Sequence, residues 1–237
     1  MNNISLANFV SGRGRAKALI VLFVVMIIVN LLAICADYGQ INLLSRAISG
    51  ATVTMAEAQM NDAFMAVTSL LTSLLFFTIG IIFLMWIYRV HKNLSALGAC
   101  DLKFTSGWAV GYFFVPFYSF FRPCQIVTEI WKASDPTANE GHLLKNVNSS
   151  PLVGLWWVAH LAMNILSLMA TAAITGPAQH SVSELRSGTI SMLVADVVAV
   201  LAAVLAMLVI KAVDTRQEEK HRLLLSAASA QETHSER

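Results

Sequence analysis

An aspartate, Asp196, sits inside the apolar run Thr189–Ile210 with no cation nearby in sequence. An ionisable group in such surroundings is costly, and proton or ion chemistry is its default functional reading. His160, Asn164, Ser167 and Thr171 follow i, i+4, i+7, i+11 spacing, which is one stripe along a helix, and Asn30 and Thr72 interrupt two further apolar runs. Beside each functional reading stands a structural one. For His160 a hydrogen bond between helices is preferred, whereas for Asp196 the structural and ionic roles stand level.

Other candidate chemistry is sparse. His91 and Cys100 share one segment and could form a base and a thiol, but nine residues separate them and no third group orients the pair, so incidental loop residues are expected. The sequence has no GxxxxGK[ST] phosphate loop, no HExxH and no GxSxG. Cys35, Cys100 and Cys124 make neither a CxxC pair nor an even-numbered disulfide framework. The expectation is a non-catalytic protein without cofactor or metal.

The elements that must position these residues follow from composition. Of 237 residues, 57% are hydrophobic and only 13% charged, with mean hydropathy +0.66; this balance belongs to a chain dissolved largely in lipid. The formal charge of +2 is too small to suggest nucleic acid as a partner. Residues 1–35 resemble a secretory signal, but Ile34 before Cys35 is not small and the apolar run is long, so an uncleaved first span is preferred. Runs 16–36, 65–88, 151–175 and 189–210 are long enough to cross ~30 Å of hydrocarbon at ~1.5 Å per helical residue. Thr54-x-x-Glu57 is a capping-box pattern ahead of the second, and Ser150-Pro151 supplies an N-cap and N1 proline for the third.

A fifth apolar stretch, 107–121, reaches only ~22 Å and contains Pro116, so it is predicted not to cross. With four spans and the N-terminus inside, nearly all Lys and Arg fall on the cytoplasmic side, Lys145 and Arg237 included, and only Arg46 and Arg186 fall outside. The same topology gathers the aromatic residues at the inner interface. Trp86, Arg89, Trp108, Arg122 and Trp131 are the candidate interfacial layer, a surface for anionic lipid or a protein partner. Its competing explanation is the ordinary aromatic and basic belt of any membrane protein. After Pro123 a short helix is predicted with Ile126, Val127, Ile130 and Trp131 on one face and Gln125, Thr128, Glu129 and Lys132 on the other. The tail after Ile210 is expected to be helical at first and then disordered.

Counting inward from the outer ends of the spans at ~1.5 Å per residue places Asn30, Thr72, Ser167 and Asp196 at about one depth, with Asn164 marginally within reach and His160 too deep. Asn30, Thr72, Asn164, Ser167 and Asp196 are therefore the candidate intramembrane polar cluster. Ala199 and Ala203 share the face of Asp196, which should turn its carboxyl toward protein.

Phe83-Leu-Met-Trp86-Ile-Tyr-Arg89, Asn93-Leu94 with Leu97-Gly98, Gly107-Trp108-Ala-Val-Gly111, Val115-Pro116-Phe117, Arg122-Pro123 and Glu129-Ile-Trp131-Lys-Ala-Ser134 form a signature. The chain thereby resembles the DUF4328 family of bacterial membrane proteins, whose function is uncharacterised. The likeness is specific in this block and extends by hydrophobic layout over residues 60 to 215. Ser106 departs from the family, where proline often precedes Gly-Trp, and so does Ser119, where asparagine is usual. The resemblance implies a membrane fold and address and carries over no catalytic or ligand residue.

The expected fold is an all-α integral membrane bundle of four transmembrane helices with an aromatic re-entrant or interfacial segment, 107–134, between the second and third. A cytoplasmic N-terminus, 1–15, precedes the membrane domain, 16–210, and a cytoplasmic tail, 211–237, follows it. The expected address is a bacterial inner membrane, and the expected partners are the bilayer, anionic lipids, and a membrane protein or second copy. The expected role is structural or regulatory; the alternative is a small transporter or channel using the polar residues around Asp196. Reporter fusions after residues 12, 140 and 225 should report cytoplasm and those near 50 and 182 the far side; a far-side signal at 140 contradicts four spans.

Overall fold

The computed structural model describes residues 6, 8–137, 147–175 and 181–235. Residue 140, Lys145 and Arg237, which enter the topology and charge arguments, lie outside them. The described chain is helical: α1 (Arg13–Ile48), α2 (Met55–Ala96), α3 (Ser106–Gly111), a 3-10 turn (Tyr118–Phe120), α4 (Arg122–Ala133), α5 (Pro151–Thr175) and α6 (Val182–Ser235). Four of these, α1, α2, α5 and α6, are long and apolar enough to cross a membrane. In their most apolar windows only 17% to 33% of residues are buried in protein. Side chains such as Phe77, 68% exposed, and Leu168, 72% exposed, face outward, an arrangement that lipid tolerates and water does not.

Local chemistry fixes the helix starts. Thr54 and Glu57 form a reciprocal cap on α2: the Thr54 N–H donates to Glu57 Oε2 at 3.0 Å and the Glu57 N–H to Thr54 Oγ1 at 3.2 Å. Ser150 Oγ accepts from Leu152 N at 3.2 Å ahead of Pro151. Ser181 and Glu184 cap α6 in the same reciprocal way, an S-x-x-E pattern that the sequence reading did not use.

The stretch 107–121 makes no spanning helix. Six residues of α3 rise only ~9 Å. Pro116 then leads into Phe117 at φ 62°, ψ −45°, where Tyr118 N donates to Pro116 O at 2.8 Å. This three-residue reversal is a strained γ-turn, rare for a bulky residue.

The chain divides into two compact units. One comprises Met1–Ile20, Gly80–Leu155 and Met207–Arg237. Its core contains Trp86, Ile87, Val90 and Leu94 of α2, Leu97 just after it, Ile126, Val127 and Ile130 of α4, and Ile210 and Val213 of α6. The other comprises Val21–Ile79 and Trp156–Ala206. Besides Met26, Trp156 and Trp157 it buries small residues, among them Ala36, Ala170, Ala195 and Ala206, and there its helices approach closely, as membrane helices do at small residues. A Cβ on Gly39 would lie 2.5 Å from Asn61 Oδ1, and one on Gly188 would lie 2.7 Å from Ile174 Cγ1.

Two expectations differ from the fold. The stretch beyond Ile210 does not become disordered after a first helical portion, because α6 continues to Ser235. Ile210, Val213, Gln217 and Lys220 are all buried, and their spacing draws one helix face into the first unit. Trp86 is not an interface residue open to headgroups. It is fully buried, its ring centroid 5.7 Å from that of Phe83, because the end of the expected span already belongs to the core of that unit, into which α2 continues. Trp86→Ala should therefore lower stability by about 3–5 kcal/mol, whereas Phe77→Ala should change it by under about 0.5 kcal/mol. Denaturation of the full chain in detergent measures both, and equal losses would contradict this division between core and lipid face.

Candidate functional site

The five residues of the intramembrane set fall in different surroundings, all in the second unit. Asn30 is buried, Thr72 and Asp196 are half-buried, and Asn164 and Ser167 are exposed on the surface of α5. No hydrogen bond joins any two of them. Asn164 turns back on its own helix, donating to His160 O at 2.7 Å and lying 3.3 Å from His160 Nε2. His160 stacks on Trp157 with ring centroids 5.2 Å apart, so its polar contact lies within α5 and not between helices. Ala203 is buried and Ala199 half-buried, on the face they share with Asp196. One buried acid of this unit is a residue that sequence reasoning missed, Asp37 of α1, whose Oδ2 has no hydrogen-bond partner. Asp37 lies just past the first expected span, and nothing local signals its burial.

In the interfacial set, Arg89, Arg122 and Trp131 are half-buried and Trp108 is 54% exposed. Arg122 organises the aromatic segment. Its guanidinium carbon lies 5.6 Å from the ring centroids of Phe104, Tyr112 and Tyr118 and 5.8 Å from that of Phe121. Each such contact contributes about 0.5–1 kcal/mol where exposed and more where desolvated. Nη1 of Arg122 donates to Gln125 Oε1 at 2.9 Å, which orients the fork. Beside this cage Phe114 is 70% exposed and Phe117, at the γ-turn, 80% exposed. Arg216 lies 4.5 Å from the Trp131 ring centroid and pairs with Asp135.

A second missed constellation is the polar core of the first unit. His91 lies in α2, not in a loop, and is buried. Its Nδ1 is 3.2 Å from Ser106 Oγ and its Nε2 3.3 Å from Glu129 Oε1, while Glu129 Oε2 accepts from the Lys103 backbone N–H at 2.7 Å. Glu129 was expected on the polar face of its helix, and it is buried instead. The buried face of α4 is wide enough to include it, and two polar groups, the His91 ring and the Lys103 N–H, converge there to satisfy it. Next to it Gln217 Nε2 donates to Val90 O at 2.8 Å and Ser134 Oγ at 3.1 Å, and Asn93 Nδ2 donates to Gln217 Oε1 at 3.2 Å and Val10 O at 2.9 Å. Lys220 Nζ donates to Ala133 O at 3.0 Å. Burial raises the Asp135 carboxyl, but hydrogen bonds from Thr137 and the charges of Arg216 and Lys220 outweigh it and hold the group below its usual range. Its stabilising contribution is thus full above the ordinary carboxylate range and lost as pH falls through the lowered value.

Ser106, His91 and Glu129 have the residue types of a hydrolase triad, but the relay runs in the opposite sense. In that chemistry the serine meets Nε2 and the carboxylate meets Nδ1; here each is on the other nitrogen. The arrangement ties α2, α3 and α4 together. Cys100 is exposed, with its thiol on Gly98 O, and is not brought to His91. Among the described residues no group of three or more His, Cys, Asp or Glu is placed to hold a metal.

Compared with known proteins, residues 49–215 match the family model described as domain of unknown function (DUF4328). No curated protein and no solved structure matches.

Glu129→Ala strands the His91 ring nitrogen and the Lys103 N–H, so it should destabilise the full chain by about 2–4 kcal/mol, and Glu129→Gln, which can still accept, by about half as much. Thermal unfolding of the two variants in one detergent is the measurement; equal and small losses would mean that the carboxylate does not tie the helices.

Proposed function

The chain belongs to the DUF4328 family, and on that premise we propose that it is a non-catalytic inner-membrane protein, structural or regulatory in role, whose aromatic and basic layer engages anionic lipid at the cytoplasmic leaflet. Both termini lie on the cytoplasmic side in this reading, which follows from the placement of Lys and Arg. The observation that supports it best is the pairing of the Arg122 cage with the exposed Phe114 and Phe117. A cation held by rings keeps its planar fork fixed, and phosphate is the anion that such a fork recognises. The γ-turn at Phe117 costs about 1–3 kcal/mol of backbone strain. A bulky apolar side chain held outward at that cost suits insertion among acyl chains next to headgroups.

In this reading Trp108 and Trp131 sit at headgroup depth. A single-tryptophan variant retaining Trp108, placed in nanodiscs, should be quenched more by probes at the headgroups than by probes at the bilayer centre. Arg122→Gln should reduce retention of anionic lipid through purification about fivefold, as expected for one basic group near a charged leaflet. Deeper quenching of Trp108 together with unchanged retention would overturn the proposal.

A further inference from the structure

The polar stripe of α5 belongs neither to the aromatic layer nor to the polar core of the first unit. Asn164 stands thirteen residues, or ~20 Å, along α5 from Pro151, which is the middle of the span. Asn164, Ser167 and Thr171 are exposed, and the side chains around them are apolar and outward: Ile165 is 50% exposed, Leu168 72% and Met169 63%. α5 packs within its own unit on another side, where Ala159 and Ala170 are buried and Ile174 meets Gly188 of α6. The Asn164 amide nitrogen bonds His160 of its own helix. Its Oδ1 accepts no hydrogen bond among the described residues, and the hydroxyls of Ser167 and Thr171 make none there either.

A hydroxyl in lipid can turn back onto a carbonyl of its own helix, as Ser73 and Thr78 do. An amide oxygen cannot, because it only accepts and the helix ladder already engages the backbone N–H groups at midspan. A donor for Asn164 Oδ1 must therefore come from outside α5, and lipid tails have none. We propose that Asn164, Ser167 and Thr171 form the seam of a parallel twofold contact between α5 of one copy of this chain and α5 of a second. Two copies inserted with the same topology are related by an axis along the membrane normal, so each residue meets its counterpart at its own depth. Asn164 then faces Asn164, and an amide supplies both the donor and the acceptor that the pair requires. The spacing of three and then four residues from Asn164 through Ser167 to Thr171 is the heptad repeat by which parallel helices present one seam, and an asparagine within such a seam fixes its register. Ser167 and Thr171 are small enough to let the backbones approach, and each hydroxyl can donate to its counterpart.

The test is the oligomeric state of the full chain without anionic lipid, so that failure of the lipid reading does not enter it. Sedimentation equilibrium in density-matched neutral detergent should show a monomer–dimer equilibrium. Asn164→Leu should weaken it ~3–30-fold, the range for a hydrogen bond between membrane helices, while Asn164→Gln, which keeps an amide, should retain most of the association. A second measurement locates the seam. In a chain whose Cys35, Cys100 and Cys124 are replaced by serine, Ser167→Cys in zwitterionic vesicles should oxidise with copper phenanthroline to a disulfide-linked dimer. Leu168→Cys and Met169→Cys, equally open but off the seam, should cross-link several times more slowly, because a disulfide needs Cβ atoms ~3.5–4.5 Å apart. Should the cysteine-free chain fail to fold, sedimentation decides alone. A chain that sediments as a monomer at every concentration has its stripe against lipid or a different protein and overturns the proposal. So does a dimer that Asn164→Leu leaves equally tight, or one that cross-links as fast at Leu168 or Met169 as at Ser167.

Discussion

Lipid offers no hydrogen bonds and no hydrophobic drive between helices, and the rest of this structure depends on that constraint. Backbone polar groups are satisfied inside the helices, so side chains alone must decide which helices meet and in what register. In the first unit this falls to two neighbouring sets of buried polar contacts. Gln217 bridges α2 and the end of α4 from α6, Asn93 bonds the segment before α1, and the His91–Glu129 contact joins α2 to α4. Each bond would be replaceable by water on a wet surface; sealed from it, losing one leaves a group unsatisfied.

The second unit solves the same problem by small residues and close approach, with Gly39 against Asn61 and Gly188 against Ile174. It has fewer polar contacts in its buried parts, and that makes the Asp37 carboxyl conspicuous. In the first unit the buried carboxylate, Glu129, is matched on both oxygens. One buried acid is thus satisfied by protein and the other is not, and physical chemistry asks a different question of each. Glu129 is explained by the helices it joins, whereas Oδ2 of Asp37 is buried with no hydrogen-bond partner.

The aromatic segment shows how a short apolar stretch is handled when it can neither cross the bilayer nor enter the core. It breaks into α3, a γ-turn and a 3-10 turn, each too short to need lipid on both sides. Arg122 replaces a hydrophobic core for it, the rings gathering round one cation that the first turn of α4 supplies.

What the sequence determined by itself was set locally. Span positions, the Thr54–Glu57 and Ser150 caps, and the failure of 107–121 to cross follow from hydropathy, chain rise and the chemistry of neighbouring residues, none of which needs a partner from afar. Family membership was legible in the same way, in short runs around Trp86, Trp108 and Arg122. Tertiary structure decided whatever depended on helix rotation and on pairing across the chain. Trp86 reads as an interface tryptophan until α2 is seen to continue into a core, and Glu129 reads as surface until His91, thirty-eight residues away, turns toward it. Asp196 was visible as an anomaly, but the burial of Asp37 was not, because hydrophobic periodicity is weak in helices that are apolar all round and leaves their facing sides unspecified.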